Sequence, residues 1–162
     1  MIFATVGTEK FQFDRLIRVI DEAVIGGRVG NDVFAQVGCC QYRPRSIAYK
    51  EFISFGNMVE NIKKADIVVC HAGVGSTILS LNLGKVPIIF PRKHELGEHL
   101  DNHQMEFAKK MESTQKTIVA YNEEDLIFKI NDYHKILAGL NPKTENSKQD
   151  LINYLKKICN TE

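Results

Sequence analysis

Apolar residues along this chain follow two rhythms. Short runs rich in Val, Ile and Phe occur at 2–6, 33–37, 47–52, 67–70, 86–90 and 117–120 and predict strands. Several are apolar at consecutive positions, the pattern of parallel strands covered on both faces. Between them the spacing turns helical. Phe13, Leu16, Ile17, Ile20, Ala23 and Val24 form one stripe and predict a helix over 13–24, ended by Gly26-Gly27. The same reasoning predicts helices over 58–64, 76–83, 98–111 and 123–137. Asn122 has the character of an N-cap, followed by Glu123, Glu124 and Asp125 where the helix dipole favours acids.

Strands separated by single helices imply βαβ units. The expected fold class is α/β: one Rossmann-like parallel sheet with helices on both faces. The expected organisation is a domain over 1–138, a linker over 139–147 holding Gly139 and Pro142, and a C-terminal segment over 148–162. Leu151, Ile152, Leu155, Ile158 and Cys159 would line one side of a helix over 148–159. That helix packs on its own domain or contacts a partner; the Gly7–Lys10 edge is the other candidate for partner contact.

Length and charge narrow the function. The 162 residues make one domain with a core, and the net charge is +1. A general nucleic-acid binder carries a basic excess, so no nucleic-acid partner is expected. No apolar run approaches the ~20 residues that cross a bilayer, and the opening residues lack a signal peptide's basic region. The four cysteines, Cys39, Cys40, Cys70 and Cys159, form no CxxC pair. Reduced thiols in a cytoplasmic protein are expected rather than disulfides or zinc.

Two segments carry chemistry. In Ile67-Val68-Val69-Cys70-His71-Ala72-Gly73-Val74-Gly75-Ser76-Thr77, a buried strand ends in a glycine-containing turn that opens a helix. Free N–H groups at a helix start favour a phosphate. Gly73 and Gly75 would let phosphate oxygens approach, while Ser76 and His71 would donate hydrogen bonds. The alternative is a tight strand-to-helix turn with Ser76 as N-cap. The second segment, Phe90-Pro91-Arg92-Lys93-His94-Glu95-Leu96-Gly97-Glu98-His99-Leu100-Asp101-Asn102-His103-Gln104, follows another buried strand and suits a hydroxyl-rich ligand such as a sugar. It reads otherwise as a solvated helix start. His99 and His103 stand four apart, as a metal pair on one helical face would, but no third ligand is placed. There is no P-loop, no GxGxxG and no DxD, so ATP, NAD and a metal-dependent sugar site have little support.

These segments resemble the C-terminal, donor-binding half of GT-B glycosyltransferases of family 28. HAGxGS, then GKVPIIFPR, then LGEHxDNHQ resembles the small subunit of bacterial two-component exopolysaccharide glycosyltransferases. It is also similar to the soluble half of the eukaryotic enzyme that adds the second N-acetylglucosamine to a dolichol-linked sugar. Phe3-Ala4-Thr5-Val6-Gly7-Thr8, Phe13-Asp14-Arg15-Leu16-Ile17, Gln36-Val37-Gly38 and Tyr42-Arg43-Pro44 fit the same pattern, so the resemblance covers about residues 1–137.

The resemblance implies roles. His71, Gly73, Gly75 and Ser76 would hold the UDP diphosphate. Phe52, Ile53 and Ser54 would face the uracil. His103 and Gln104, with Asn102, would hold donor-sugar hydroxyls. Gly7 and Thr8 would form a loop facing the cleft, and Arg92 and Glu98 are second-line contacts. No cofactor and no metal are implied. The general base and acceptor site would lie on a membrane-associated partner subunit that binds a lipid-linked saccharide. This chain would be cytoplasmic, recruited to the inner membrane face, and inactive alone. One departure stands out: many such domains carry a ribose-binding Glu where this chain has Leu79, with Ser80 and Asn82 nearby as substitutes. Rival readings are an enhancer subunit without a donor site, a self-sufficient small nucleotide-sugar enzyme, and a structural interaction domain.

Overall fold

A computed structural model describes residues 1–140. The remainder of the expected linker and the expected helix over 148–159 lie outside the described residues.

Six parallel strands form one sheet: β1 (Ile2–Thr5), β2 (Val33–Gln36), β3 (Ala48–Lys50), β4 (Ile67–His71), β5 (Ile88–Phe90) and β6 (Ile118–Val119). Their order is β3-β2-β1-β4-β5-β6. The chain runs outward from β1 in one direction, then restarts at β4 and runs the other way. The crevice beyond the C-terminal ends of β1 and β4 is the switch point where such sheets bind ligands.

The alternation of strand residues divides the core. Ile2, Ala4, Val6, Val69 and Phe90 pack with Leu16, Ile17 and Ile20 of α1 (Asp14–Ile25) and Leu126, Ile127 and Ile130 of α5 (Glu123–Asn131). On the other face, Phe3 and Val68 meet Ile62 of α2 (Phe55–Lys64). Cys70 and Ile89 meet Phe107, Ala108 and Met111 of α4 (His103–Ser113), with Ile78 and Leu81 of α3 (Val74–Asn82) alongside. Helices on both faces explain why β1, β4 and β5 are largely apolar and buried, whereas the edge strand β3 is exposed at all three positions.

Several boundaries differ from the sequence reading. α2 starts three residues early because Ser54 caps it, its hydroxyl accepting from Asn57 N at 3.2 Å. α3 also starts early: Gly73 is the extended N-cap, so Ser76 lies inside the first turn rather than capping it. The helix expected over 98–111 begins only at His103. A 3-10 turn at His94–Leu96 ends in left-handed Gly97; beyond it Glu98 bonds the distant Arg15, His99 pairs with Asp101, and Asn102 accepts from His94 N. The helix expected over 123–137 breaks at Asp132 into α5 and α6 (Tyr133–Gly139), where Tyr133 donates its hydroxyl to Val86 O at 2.7 Å. Gly139, placed at the start of the linker by sequence, is the last residue of α6. Asn122 is an N-cap as expected, accepting from Asp125 N at 2.9 Å.

Candidate phosphate-binding cleft

At the switch point, His71 ends β4 and turns its ring into the crevice beside two glycines. A Cβ placed on Gly7 would lie 2.5 Å from His71 Cε1. One placed on Gly73 would lie 2.8 Å from Cδ2 and Cε1, and nearer still to Nε2. Both positions lack side chains because the imidazole fills that space. This changes the expected role of Gly73, which makes room for the histidine. At Gly75 the space is open, so only there does a missing side chain clear an approach to the backbone.

The first helical bond of α3 runs from Thr77 N to Gly73 O at 3.1 Å. The N–H groups of Val74, Gly75 and Ser76 precede it and have no intrahelical acceptor. With the helix dipole they form an anion-attracting mouth. His71 adds no positive charge to it. Burial, then the Arg92 charge, push its pKa down to about 3, against the raising pull of the Thr5 backbone. A neutral imidazole donates one N–H and accepts at the other nitrogen.

The second lip is the Gly7–Gln12 loop, held from across the sheet. Arg92, two residues after β5, is wholly buried and donates from Nη2 to Val6 O at 3.0 Å and Phe11 O at 3.1 Å. Its Nη1 reaches Glu9 at 3.4 Å, and its guanidinium lies over the Phe13 ring. The His99 ring packs at a tilt against Phe11 and faces the same Glu9 carboxylate at 3.4 Å. Glu98 is buried too, gripping Arg15 through two bonds of 2.7 and 2.8 Å and accepting from Lys93 N. Arg92 and Glu98, expected as second-line ligand contacts, are therefore committed to shaping the loops.

The third wall is the start of α4. Gln104 is buried, its Oε1 accepting from Arg92 N at 3.2 Å. His103 is exposed, with Nδ1 3.0 Å from Asp101. Asn102 Oδ1 accepts from His94 N at 3.4 Å. His99 precedes α4, so it and His103 share no helical face; both turn to Asp101 instead. Among the described residues no three of His, Cys, Asp and Glu gather as metal ligands.

Phe52 is exposed, Ile53 half-buried, and Ser54 occupied as a cap, all in the turn between β3 and α2. Thr8 is exposed on its loop. Leu79 packs against the Phe3 cluster, and Ser80 is buried with its hydroxyl on Ser76 O. Cys39, Cys40 and Cys70 are free thiols, and burial pushes Cys40 up to about 11 and Cys70 to about 12.

A cavity of about 380 Å³ lies away from this cleft, between α1, the 94–98 turn and the start of α5. Arg15 pairs with Glu98 and Arg28 with Glu124, while Arg18 lies over the Tyr42 ring, and the five carboxylates of the lining outnumber its three arginines, which does not suit an anion. The mouth of α3 has the better chemistry. Sequence reasoning assigned no role to Gln36, the buried amide behind Gly7, or to the Arg15–Glu98 pair. A polar residue within the apolar run 33–37 was the available signal for the first.

Residues 1–158 match the model for the glycosyltransferase family 28 C-terminal domain, further along the chain than the motifs alone reach. The UDP-N-acetylglucosamine transferase subunit ALG13 of Homo sapiens is 30% identical over 119 residues, covering 68% of this chain and 10% of that protein. Its Mus musculus counterpart is 34% identical over 118 residues, covering 67% and 10%. The chain thus spans about a tenth of those relatives. Among solved structures, the glycotransferase of kitacinnamycin superposes with a TM-score of 0.56 at 14% identity, covering 86% of this chain and 38% of that one. That likeness concerns the fold alone, a parallel sheet flanked by helices. The match over nearly the whole sequence is decisive, and the chain belongs to glycosyltransferase family 28, as a C-terminal domain of that family.

Proposed function

We propose that this chain is the donor-binding half of a two-component inverting glycosyltransferase. The observation that carries this reading is the mouth of α3 at the switch point, with three free N–H groups beside a buried neutral histidine. The diphosphate of a UDP-sugar sits there, on Val74, Gly75 and Ser76 with His71 behind. As the sugar leaves, negative charge builds on the β-phosphate, and preorganised backbone donors stabilise it. No metal is needed for that step. The uracil lies toward Phe52, Ile53 and Ser54, and the sugar toward Asn102, His103 and Gln104. Gln104 is anchored through Arg92 N, so it presents its remaining amide group from a fixed position.

An inverting transfer also needs a general base beside the acceptor hydroxyl. The base and acceptor belong to a membrane-associated partner that carries a lipid-linked saccharide, with this chain recruited to the cytoplasmic membrane face. No helix among the described residues is long and apolar enough to cross a membrane. The word "subunit" in the relatives' name supports a divided enzyme, and their donor makes UDP-N-acetylglucosamine the first candidate. The product belongs to an exopolysaccharide or capsule.

Titration calorimetry of the purified chain with UDP and UDP-sugars tests the donor site. UDP binding that is lost in His71→Ala supports it. Leu79 favours one other reading, an enhancer subunit without a donor site, because leucine cannot accept ribose hydrogen bonds. Partnered activity that survives His71→Ala and Gln104→Ala would select that reading.

A further inference from the structure

Gln36 ends β2 and is 1% exposed. All four hydrogen-bonding positions of its amide are used. Oε1 accepts from Thr5 Oγ1 at 2.6 Å and from Gly7 N at 3.2 Å. Nε2 donates to Gly7 O and to Glu51 O, both at 2.9 Å. The pattern fixes the amide's orientation, since the flipped group would set NH2 against a donor and oxygen against two carbonyls. Gly7 is held through both its N–H and its C=O, as a strand partner would hold it, at a φ of +80. Glu51 O also accepts from Gly38 N at 2.8 Å, so the loops after β1, β2 and β3 converge on one side chain.

We infer that Gln36 is a positioning residue that locks the Gly7–Thr8 loop and the turn leading into Phe52–Ser54 as a single unit. It sets the diphosphate end and the base end of the nucleotide cleft together. The ligand it serves is the nucleoside diphosphate of the donor, so the inference rests on the donor-site reading above. Thr5 orients the amide from beneath, and Glu51 contributes through its backbone, so the device depends on the side chain of Gln36 itself.

Gln36→Glu separates donation from shape. An ionised carboxylate still accepts from Thr5 and Gly7 N, but it cannot donate and faces two carbonyl oxygens. Burial raises the pKa of such a carboxyl, and protonation restores one donor. Gln36→Met removes every bond at similar volume. Calorimetry with UDP at pH 8 and pH 5.5, read as the variant to wild-type ratio, cancels the titration of UDP itself. The expected result is at least an about tenfold weaker affinity for Gln36→Glu at pH 8. That gap should narrow at pH 5.5, whereas the gap of Gln36→Met should not. Amide exchange by NMR gives a readout free of ligand. In Gln36→Met, the Gly7 and Gly38 amides should both exchange at least about tenfold faster while Leu126 and Ile127 in α5 keep their protection.

Wild-type affinity in folded Gln36→Met, or Gly38 protection unchanged there, overturns the inference. Protection lost equally throughout α5 also overturns it, because the role would then be general stability. If wild type binds no UDP, the donor-site reading fails, and the exchange result alone decides whether Gln36 couples the two loops.

Discussion

The crowding of His71 by glycine makes a sharp test of the cleft. In Gly73→Ala the new methyl would lie 2.8 Å from ring atoms Cδ2 and Cε1, where ordinary contact begins at 3.4 Å. Nε2 lies nearer still, so the ring must shift by well over about 0.6 Å, with Gly7 already against it. Overpacking of this kind costs about 1–3 kcal/mol. For a domain of this size that lowers the melting temperature by about 3–10 °C. Gly75→Ala is the control: its methyl meets nothing within 4 Å. Alanine within a helix is favoured over glycine by up to ~1 kcal/mol, so its melting temperature should hold or rise. Its UDP affinity should nevertheless fall, because the methyl stands on the open approach. Thermal unfolding by circular dichroism supplies the stability and calorimetry the affinity. A double-mutant cycle then assigns the cause: in a His71→Ala background, Gly73→Ala should cost almost nothing. An equal loss of stability in both backgrounds would refute the clash with the ring.

Three further outcomes are expected. His71 takes up its proton near pH 3 when folded and near 6.5 when unfolded, so the unfolded chain protonates first. Its contribution to stability is intact above pH 6.5 and falls as pH drops toward 3, by up to about 1.4 kcal/mol per pH unit. Urea unfolding at pH 7 and pH 5 should show a larger acid loss in wild type than in His71→Asn, and equal losses would contradict the assignment. Glu98→Gln keeps the shape but removes the nearer of the two carboxylates facing the largely buried Arg15 guanidinium, with Glu123 remaining at 3.7 Å, and should cost about 2–3 kcal/mol in urea unfolding; a loss below about 1 kcal/mol would mean the pair behaves like a surface contact. Leu79→Glu puts a carboxylate against the Phe3 cluster and should lose about 1–3 kcal/mol without gaining UDP affinity. Tighter UDP binding at unchanged stability would show that the ribose site needs only its acid.

Where a local rule decides the structure, the sequence was readable. The stripe from Phe13 to Val24 follows helical spacing and became α1; the apolar runs became strands; Asn122 with its acids became a cap. The turn from His71 to Ser76 was legible because a strand end, glycines and a helix start fall within a few residues. What escaped was set by contacts far along the chain. Arg92 was read as a second-line ligand contact, yet it is among the largest fully buried side chains and its partners lie in another loop. Glu98 was placed inside a helix, but its bond to Arg15 holds residues 98–102 in a turn. Gly73 was read as space for phosphate because the neighbour that fills it, the ring of His71, cannot be placed by spacing.

The reach of Arg92 has a consequence for the order of assembly. Its bonds to Val6 and Phe11 close separations of 86 and 81 residues. Closing so long a segment costs entropy that local contacts do not repay, so such pairings come late in folding. The loop after the first strand is therefore made early in synthesis but shaped only when the fifth strand docks. A nascent chain that has emerged as far as α3 holds His71 and both glycines beside it, yet lacks the clasp that sets one lip of the cleft. The cleft is therefore completed in order along the chain: the mouth of α3 first, the clasp of Arg92 once β5 has docked, and the wall at the start of α4 last.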